Sequence, residues 1–99
     1  MKLNYKLSEL AKIDLEEIWM HTASQWSVNQ ANSYYRLIIN EIERICHNPE
    51  IGRSIGDIKK QHRVQTVKSH LIIYKTDREN LYVDRILHQR MDIASRLHE

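Results

Sequence analysis

The sequence is poor in the residues that cross-link or punctuate a chain. Its 99 residues include one cysteine, one proline and two glycines. A lone Cys46 excludes an intramolecular disulfide and argues against a thiolate metal centre, so it reads as an apolar helix residue. So little Gly and Pro argues against low complexity and disorder. No apolar run reaches the roughly 18 residues of a membrane span, and Met1 to Leu7 lacks the features of a secretory signal. A cytoplasmic protein with no membrane contact is the expectation. The histidines stand at His21, His47, His62, His70, His88 and His98, with no pair at the four-residue helical spacing of a zinc site. No glycine-rich loop could cradle a phosphate, and no serine lies in a strand-to-helix elbow with glycine neighbours. Neither a metal nor any other cofactor is expected.

What is present describes one folded unit. The length suits a single domain over residues 1–99 with a modest core, and 41% hydrophobic with 28% charged residues is a globular balance. Charge is uneven along the chain. Residues 1–50 carry five Lys/Arg against seven Asp/Glu, and residues 51–99 carry ten against six, giving −2 and +4 and the overall +2. The basic second half points to an acidic partner, either nucleic acid or protein.

The hydrophobic period changes once, near Pro49. Ser8 can cap a helix from about Glu9 to Ser24, with Ala11, Leu15, Ile18 and Thr22 on one face and Leu10, Ile13 and Trp19 widening the stripe. Ser27 with Gln30 is a capping-box pattern for a second helix, whose Val28, Ala31, Tyr35, Ile38, Ile42 and Ile45 recur at three- and four-residue steps until Asn48-Pro49. So short a connection predicts an antiparallel pair. An irregular segment with Gly52, Arg53 and Gly56 follows. Strands are then predicted over Arg63 to Lys68, His70 to Thr76 and Leu81 to His88, with hairpin turns at Lys68-Ser69 and Asp77 to Asn80. Lys2 to Leu7 fits an edge strand, and a helical turn or two is expected within Met91 to Leu97. The fold class is α+β: a β-α-α-β-β-β order with the helix pair packed on a small, mainly antiparallel sheet, and a short C-terminal helix.

Chemistry is harder to place than architecture. The strands carry Arg63, Lys68, His70, Tyr74, Arg85, His88 and Arg90, and such a set could do two jobs. It could form a metal-free nuclease site, with His88 as base and Arg63 or Arg85 stabilising phosphate charge. It could instead dock proteins and catalyse nothing. Strand alternation puts Arg85 and His88 on opposite faces unless a bulge intervenes, which favours docking. A small nucleic-acid-binding domain is the weakest alternative, since no interleaved exposed aromatics or recognition helix is evident.

The residues Leu7, Ala11, Asp14, Leu15 and Ile18, then Trp26, Gln30, Ala31 and Tyr34, then Asn48, Pro49, Gly52 and Arg53, then His70, Ile72 and Tyr74 carry a resemblance that runs to Arg85-Ile86-Leu87-His88-Gln89-Arg90-Met91-Asp92. Along almost its whole length the chain resembles the ParE toxins of the RelE/ParE superfamily. That resemblance implies the toxin of a type II toxin-antitoxin pair, acting on DNA gyrase and neutralised by a cognate ParD-like antitoxin that lays its C-terminal segment on the toxin. Operator DNA is then reached only through the antitoxin. The superfamily also holds ribosome-dependent messenger-RNA endonucleases of the RelE type, the alternative in which Arg63, Arg85 and His88 would be catalytic. On the toxin reading no catalytic residue is carried over; Arg85, His88, Arg90 and Met91 are candidates for target binding. Trp19, Trp26, Tyr34 and Arg53 are candidates for antitoxin binding, although core packing explains the Trp and Tyr residues equally well.

Overall fold

The computed structural model describes residues 2–97, so His98 lies outside it. Strand β1 (Asn4–Leu7) leads into helices α1 (Glu9–Gln25) and α2 (Val28–His47), followed by β2 (Arg53–Ser54), β3 (Arg63–Val67), β4 (His70–Thr76), β5 (Asn80–His88) and α3 (Ile93–Leu97). The sheet order is β1-β5-β4-β3-β2, with β1 parallel to β5 and the other neighbours antiparallel. This is the expected α+β architecture with one addition. The two-residue strand β2 escaped the sequence because it is too short to show alternation.

Capping sets the helix starts where the sequence places them. The Ser8 hydroxyl accepts the Ala11 amide at 3.0 Å, and the Ser27 hydroxyl accepts the Gln30 amide at 3.0 Å. Each satisfies an amide that the first helical turn leaves without a partner. Helix α2 ends at Asn48, whose amide returns to the carbonyls of Arg44 and Ile45 before Pro49.

Both sheet faces are covered. The helices bury Ala11, Leu15, Ile38, Ile42 and Ile45 against Ile72, Tyr74, Leu81, Val83 and Ile86. On the other face Ile55, Val64, Leu71, Ile73, Leu87 and Leu97 form a smaller cluster under the 55–62 loop and α3. The middle strand β4 therefore has apolar residues on both sides, as its composition predicts. Each such side chain contributes about 1.5–3 kcal/mol by leaving water.

Two expectations about the helix faces need correction. Leu10 and Ile13 do not widen the buried stripe of α1: they are 44% and 49% exposed, and Asp14 occupies the buried flank instead. Val28 and Tyr35, assigned to the α2 stripe, are also exposed. The rotation of α1 has a local cause. Strand β1 ends at Leu7, so it cannot pair with β5 beyond Val83. Helix α1 takes over that edge with side chains: Ser8 Oγ donates to the Asp84 carbonyl at 2.6 Å, and Asp14 Oδ2 accepts the Ile86 amide at 2.9 Å.

Strand β5 also carries a bulge. Ile73 pairs with Arg85 but Tyr74 pairs with Val83, leaving Asp84 as the additional residue. The bulge restores the inward side of the strand, so Ile86 and His88 face the helices as Leu81 and Val83 do. Near the opposite end of the sheet, Tyr74 Oη accepts the Gly52 amide at 3.0 Å and donates to the Pro49 carbonyl at 2.8 Å. A Cβ at Gly52 would stand 2.6 Å from that hydroxyl and 2.8 Å from the Val64 carbonyl oxygen, which explains the glycine.

Candidate functional site: a groove between the helix pair and the sheet

A groove of about 610 Å³ opens where α1 and the start of α2 pass over the end of the sheet at His70 and His88. Its α1 wall presents Asp14, Glu17, Ile18, His21 and Thr22, and its floor is Ile86, His88, Ser69 and His70. Trp26, Gln30, Tyr34 and Met91 complete the rim. Helical spacing explains the α1 set, because residues three and four apart share a face. Strand pairing explains the floor: His70 lies directly across from His88 at the end of the β4–β5 ladder.

An aromatic ladder crosses the groove. Tyr34 Oη lies 2.7 Å from His70 Nδ1 and 3.4 Å from Ser69 Oγ. The rings of Tyr34 and His70 meet edge to face at 5.4 Å, and those of His70 and His88 at 5.2 Å. Burial, followed by the neighbouring His88, pushes the His70 imidazole down to about 4. A neutral ring near pH 7 is thus held between two aromatic edges. Such a group recognises shape and offers hydrogen bonds but no fixed charge.

Directly behind the α1 wall lies a buried ion pair. Arg85 Nε and Nη2 donate to Asp14 Oδ2 and Oδ1 at 2.9 and 3.0 Å, a bidentate pair with both side chains only 10% exposed. Arg85 Nη1 also reaches the Arg96 carbonyl at 3.5 Å, joining β5 to α3. With the Ile86 amide added, the Asp14 carboxylate accepts three hydrogen bonds in a nearly dry setting. This pair ties the first helix to the last strand.

The residues singled out by sequence are scattered by the fold. Arg85 is buried in its ion pair, while Arg63 is anchored by Nη1 to the Gly52 carbonyl at 2.8 Å. Arg63 pairs with Tyr74 and hence aligns with Val83, whereas His88 aligns through His70 with Val67. About 13 Å of strand separates those two rows. Arg63, Arg85 and His88 are therefore not brought together. His88 and Met91 do line the groove, with exposed Arg90 beside them, its amide donating to His88 Nδ1 at 3.1 Å. Asp92 accepts from the Ala94 amide and Ser95 hydroxyl at the start of α3, so His88 and Asp92 each hold a separate turn. Trp26, 78% exposed, and Tyr34 belong to the groove. Trp19 instead braces the helix pair through Asn32 Oδ1 at 2.9 Å, and Arg53 is exposed on β2 at the far edge of the sheet.

Sequence reasoning missed the Asp14–Arg85 pair and the role of His70 as the groove's centre. A signal for the first existed. Asp14 sits among Ala11, Leu15 and Ile18 on the buried face, and a carboxylate there requires a partner. Among the described residues no cluster of three or more His, Cys, Asp or Glu could hold a metal ion, and no helix is long and apolar enough to cross a membrane.

Comparison with known proteins places this geometry in a family. A solved chromosomal ParDE toxin-antitoxin system from P. aeruginosa has a chain that superposes with a TM-score of 0.76, covering 88% of this chain and 96% of its own at 15% identity, which establishes a shared fold. Toxin ParE1 of Mycobacterium tuberculosis (strain ATCC 25618 / H37Rv) is 40% identical over 98 residues, spanning 98% of this chain and all of its own length. Toxin ParE1 of Caulobacter vibrioides is 32% identical over 93 residues, 94% of this chain and 96% of its own. The family model described as the ParE toxin of the type II toxin-antitoxin system parDE matches residues 5–93, from β1 into α3. Because that match spans both helices and the whole sheet, groove included, the chain belongs to the ParE family of toxins of type II toxin-antitoxin systems.

Proposed function

We propose that this toxin poisons DNA gyrase in the cytoplasm and is neutralised by a cognate ParD-like antitoxin, with residues 1–99 acting as one domain. The observation that carries the reading is the end-to-end likeness to ParE1 toxins at up to 40% identity. Site geometry supports it. With Arg85 committed to Asp14 and Arg63 a sheet-length from His88, the expected nuclease groups do not converge on one phosphate. The groove suits the antitoxin, because Trp26 and Tyr34 offer the aromatic anchors that dominate protein interfaces. His88, Arg90 and Met91 at its mouth are the target-binding candidates that remain accessible. Operator DNA is reached through the antitoxin.

The test adds purified protein separately to a gyrase supercoiling reaction and to a translating ribosome extract. Linear cleaved DNA in the first, with intact messenger in the second, is the expected result. Cut messenger with untouched supercoiling would replace this reading by a RelE-type endonuclease.

A further inference from the structure

The groove draws most of its lining from the acidic first half of the chain. The chain carries 15 Lys and Arg against 13 Asp and Glu, yet among the described residues the groove is lined by Asp14 and Glu17 and by no Lys or Arg. Asp14 is neutralised from behind by Arg85. Glu17, one turn further along α1, is exposed and forms no ion pair among the described residues. Lys12, the basic residue of α1, is engaged with Glu9 at 3.2 Å. The adjoining ends of α1 and α2 do not change the sign. The first turn of α2 has no acidic residue and the last turn of α1 no basic one, and as their opposite partial charges stand side by side they offset each other.

We propose that the groove receives a single arginine of the antitoxin's docking segment, its guanidinium between the Glu17 carboxylate and the rings of Trp26 and Tyr34. This deepens the antitoxin reading above and rests on it. A planar cation fits an exposed indole face and a carboxylate better than any anionic or neutral head group does. Neutral His70 adds no repulsion. Apolar neighbours of that arginine have their own shelf: Leu10, Ile13 and Met20 are 44%, 49% and 57% exposed and flank Glu17 along one side of α1. Exposed Lys68 and Arg90 immediately precede the groove residues Ser69 and Met91 without lining it. They disfavour a strongly basic segment, so the groove selects one cation among apolar residues.

The experiment titrates the whole protein with the peptide acetyl-Ala-Leu-Arg-Leu-Ala-amide and with versions carrying Gln or Glu in place of Arg. The readout is the indole N–H resonance of Trp26, distinguished from that of Trp19 by the latter's bond to Asn32. Saturable shifts in the millimolar range are expected with the Arg peptide, about ten-fold weaker binding with Gln, and none with Glu. Glu17→Gln should weaken the Arg peptide by about ten-fold, with the thermal midpoint unchanged because Glu17 is exposed. Equal shifts from all three peptides would overturn the cation assignment while leaving the groove as a dock. No shift from any peptide would overturn both, and an unaltered response in Glu17→Gln would remove Glu17 from the site.

Discussion

Replacing Asp14 by alanine should be among the most damaging single changes available. The carboxylate accepts from Arg85 Nε, Arg85 Nη2 and the Ile86 amide, all within 3.0 Å. Removing it leaves a guanidinium that is nearly dry and a β5 amide without its partner. Breaking one side of a buried ion pair costs about 3–5 kcal/mol, and a stranded buried amide about 1–3 kcal/mol more, although the two overlap because one group serves both. Against a typical domain stability of about 5–15 kcal/mol, Asp14→Ala should lose about 4 kcal/mol and shift the urea midpoint by more than 1 M. Asp14→Asn keeps an acceptor for Ile86 and should lose about half as much. The double variant Asp14→Ala/Arg85→Met tests the cause, since it removes both members of the pair together. Urea unfolding followed by circular dichroism should show it at least about 1.5 kcal/mol more stable than the sum of the single losses predicts. Strictly additive losses, or a cost below about 1 kcal/mol for Asp14→Ala, would refute the pair as the tie between α1 and β5.

Tyr74→Phe should cost about 2 kcal/mol in the same assay, because it strands the Gly52 amide and the Pro49 carbonyl. Gly52→Ala should cost about 2–4 kcal/mol, since its Cβ would meet the Val64 backbone as well as Tyr74. His70 is held down to about 4 from 6.5, so it contributes stability present in full above pH 6.5 and lost as pH falls towards 4. The loss is at most about 3 kcal/mol and roughly half that after allowance for groove water, and a flattened stability–pH curve in His70→Asn is the check. Trp26→Ala should alter stability by less than about 0.5 kcal/mol, the indole being 78% exposed, while weakening antitoxin binding ten-fold or more by calorimetry.

Periodicity and capping make most of the architecture legible in the sequence. Ser8 and Ser27 cap the two helices, and the apolar runs of β4 and β5 fall on the sheet as their composition predicts. What could not be read is non-local. Nothing near β1 announces that its partner lies some 76 residues away in β5, or that the partnership is parallel. The bulge at Asp84 was equally hidden: it inverts the alternation after Val83, but the adjacent apolar residues Ile86 and Leu87 fill both faces and mask the change of phase. Individual side chains suffered most from this. Arg85 looked like a phosphate clamp while it was a strand residue with no known neighbour, and it becomes a structural cation once Asp14 faces it. His70 was one polar residue among seven until strand pairing set it opposite His88 and the helix brought Tyr34 onto it.

The pairing of β1 with β5 also fixes the order in which the molecule can come into being. A ribosome that has translated through Thr76 has made both helices and four of the five strands, yet β1 still has no neighbour and α1 no Arg85. Leu81, Val83 and Ile86, which fill the centre of the core, arrive only with the last strand. Closing a loop of that length is entropically slow, and it cannot begin before β5 leaves the exit tunnel. Until β5 is made, the core lacks its centre and the groove lacks the floor residues Ile86 and His88. The groove is thus a late product of folding, assembled by the same strand that completes the core.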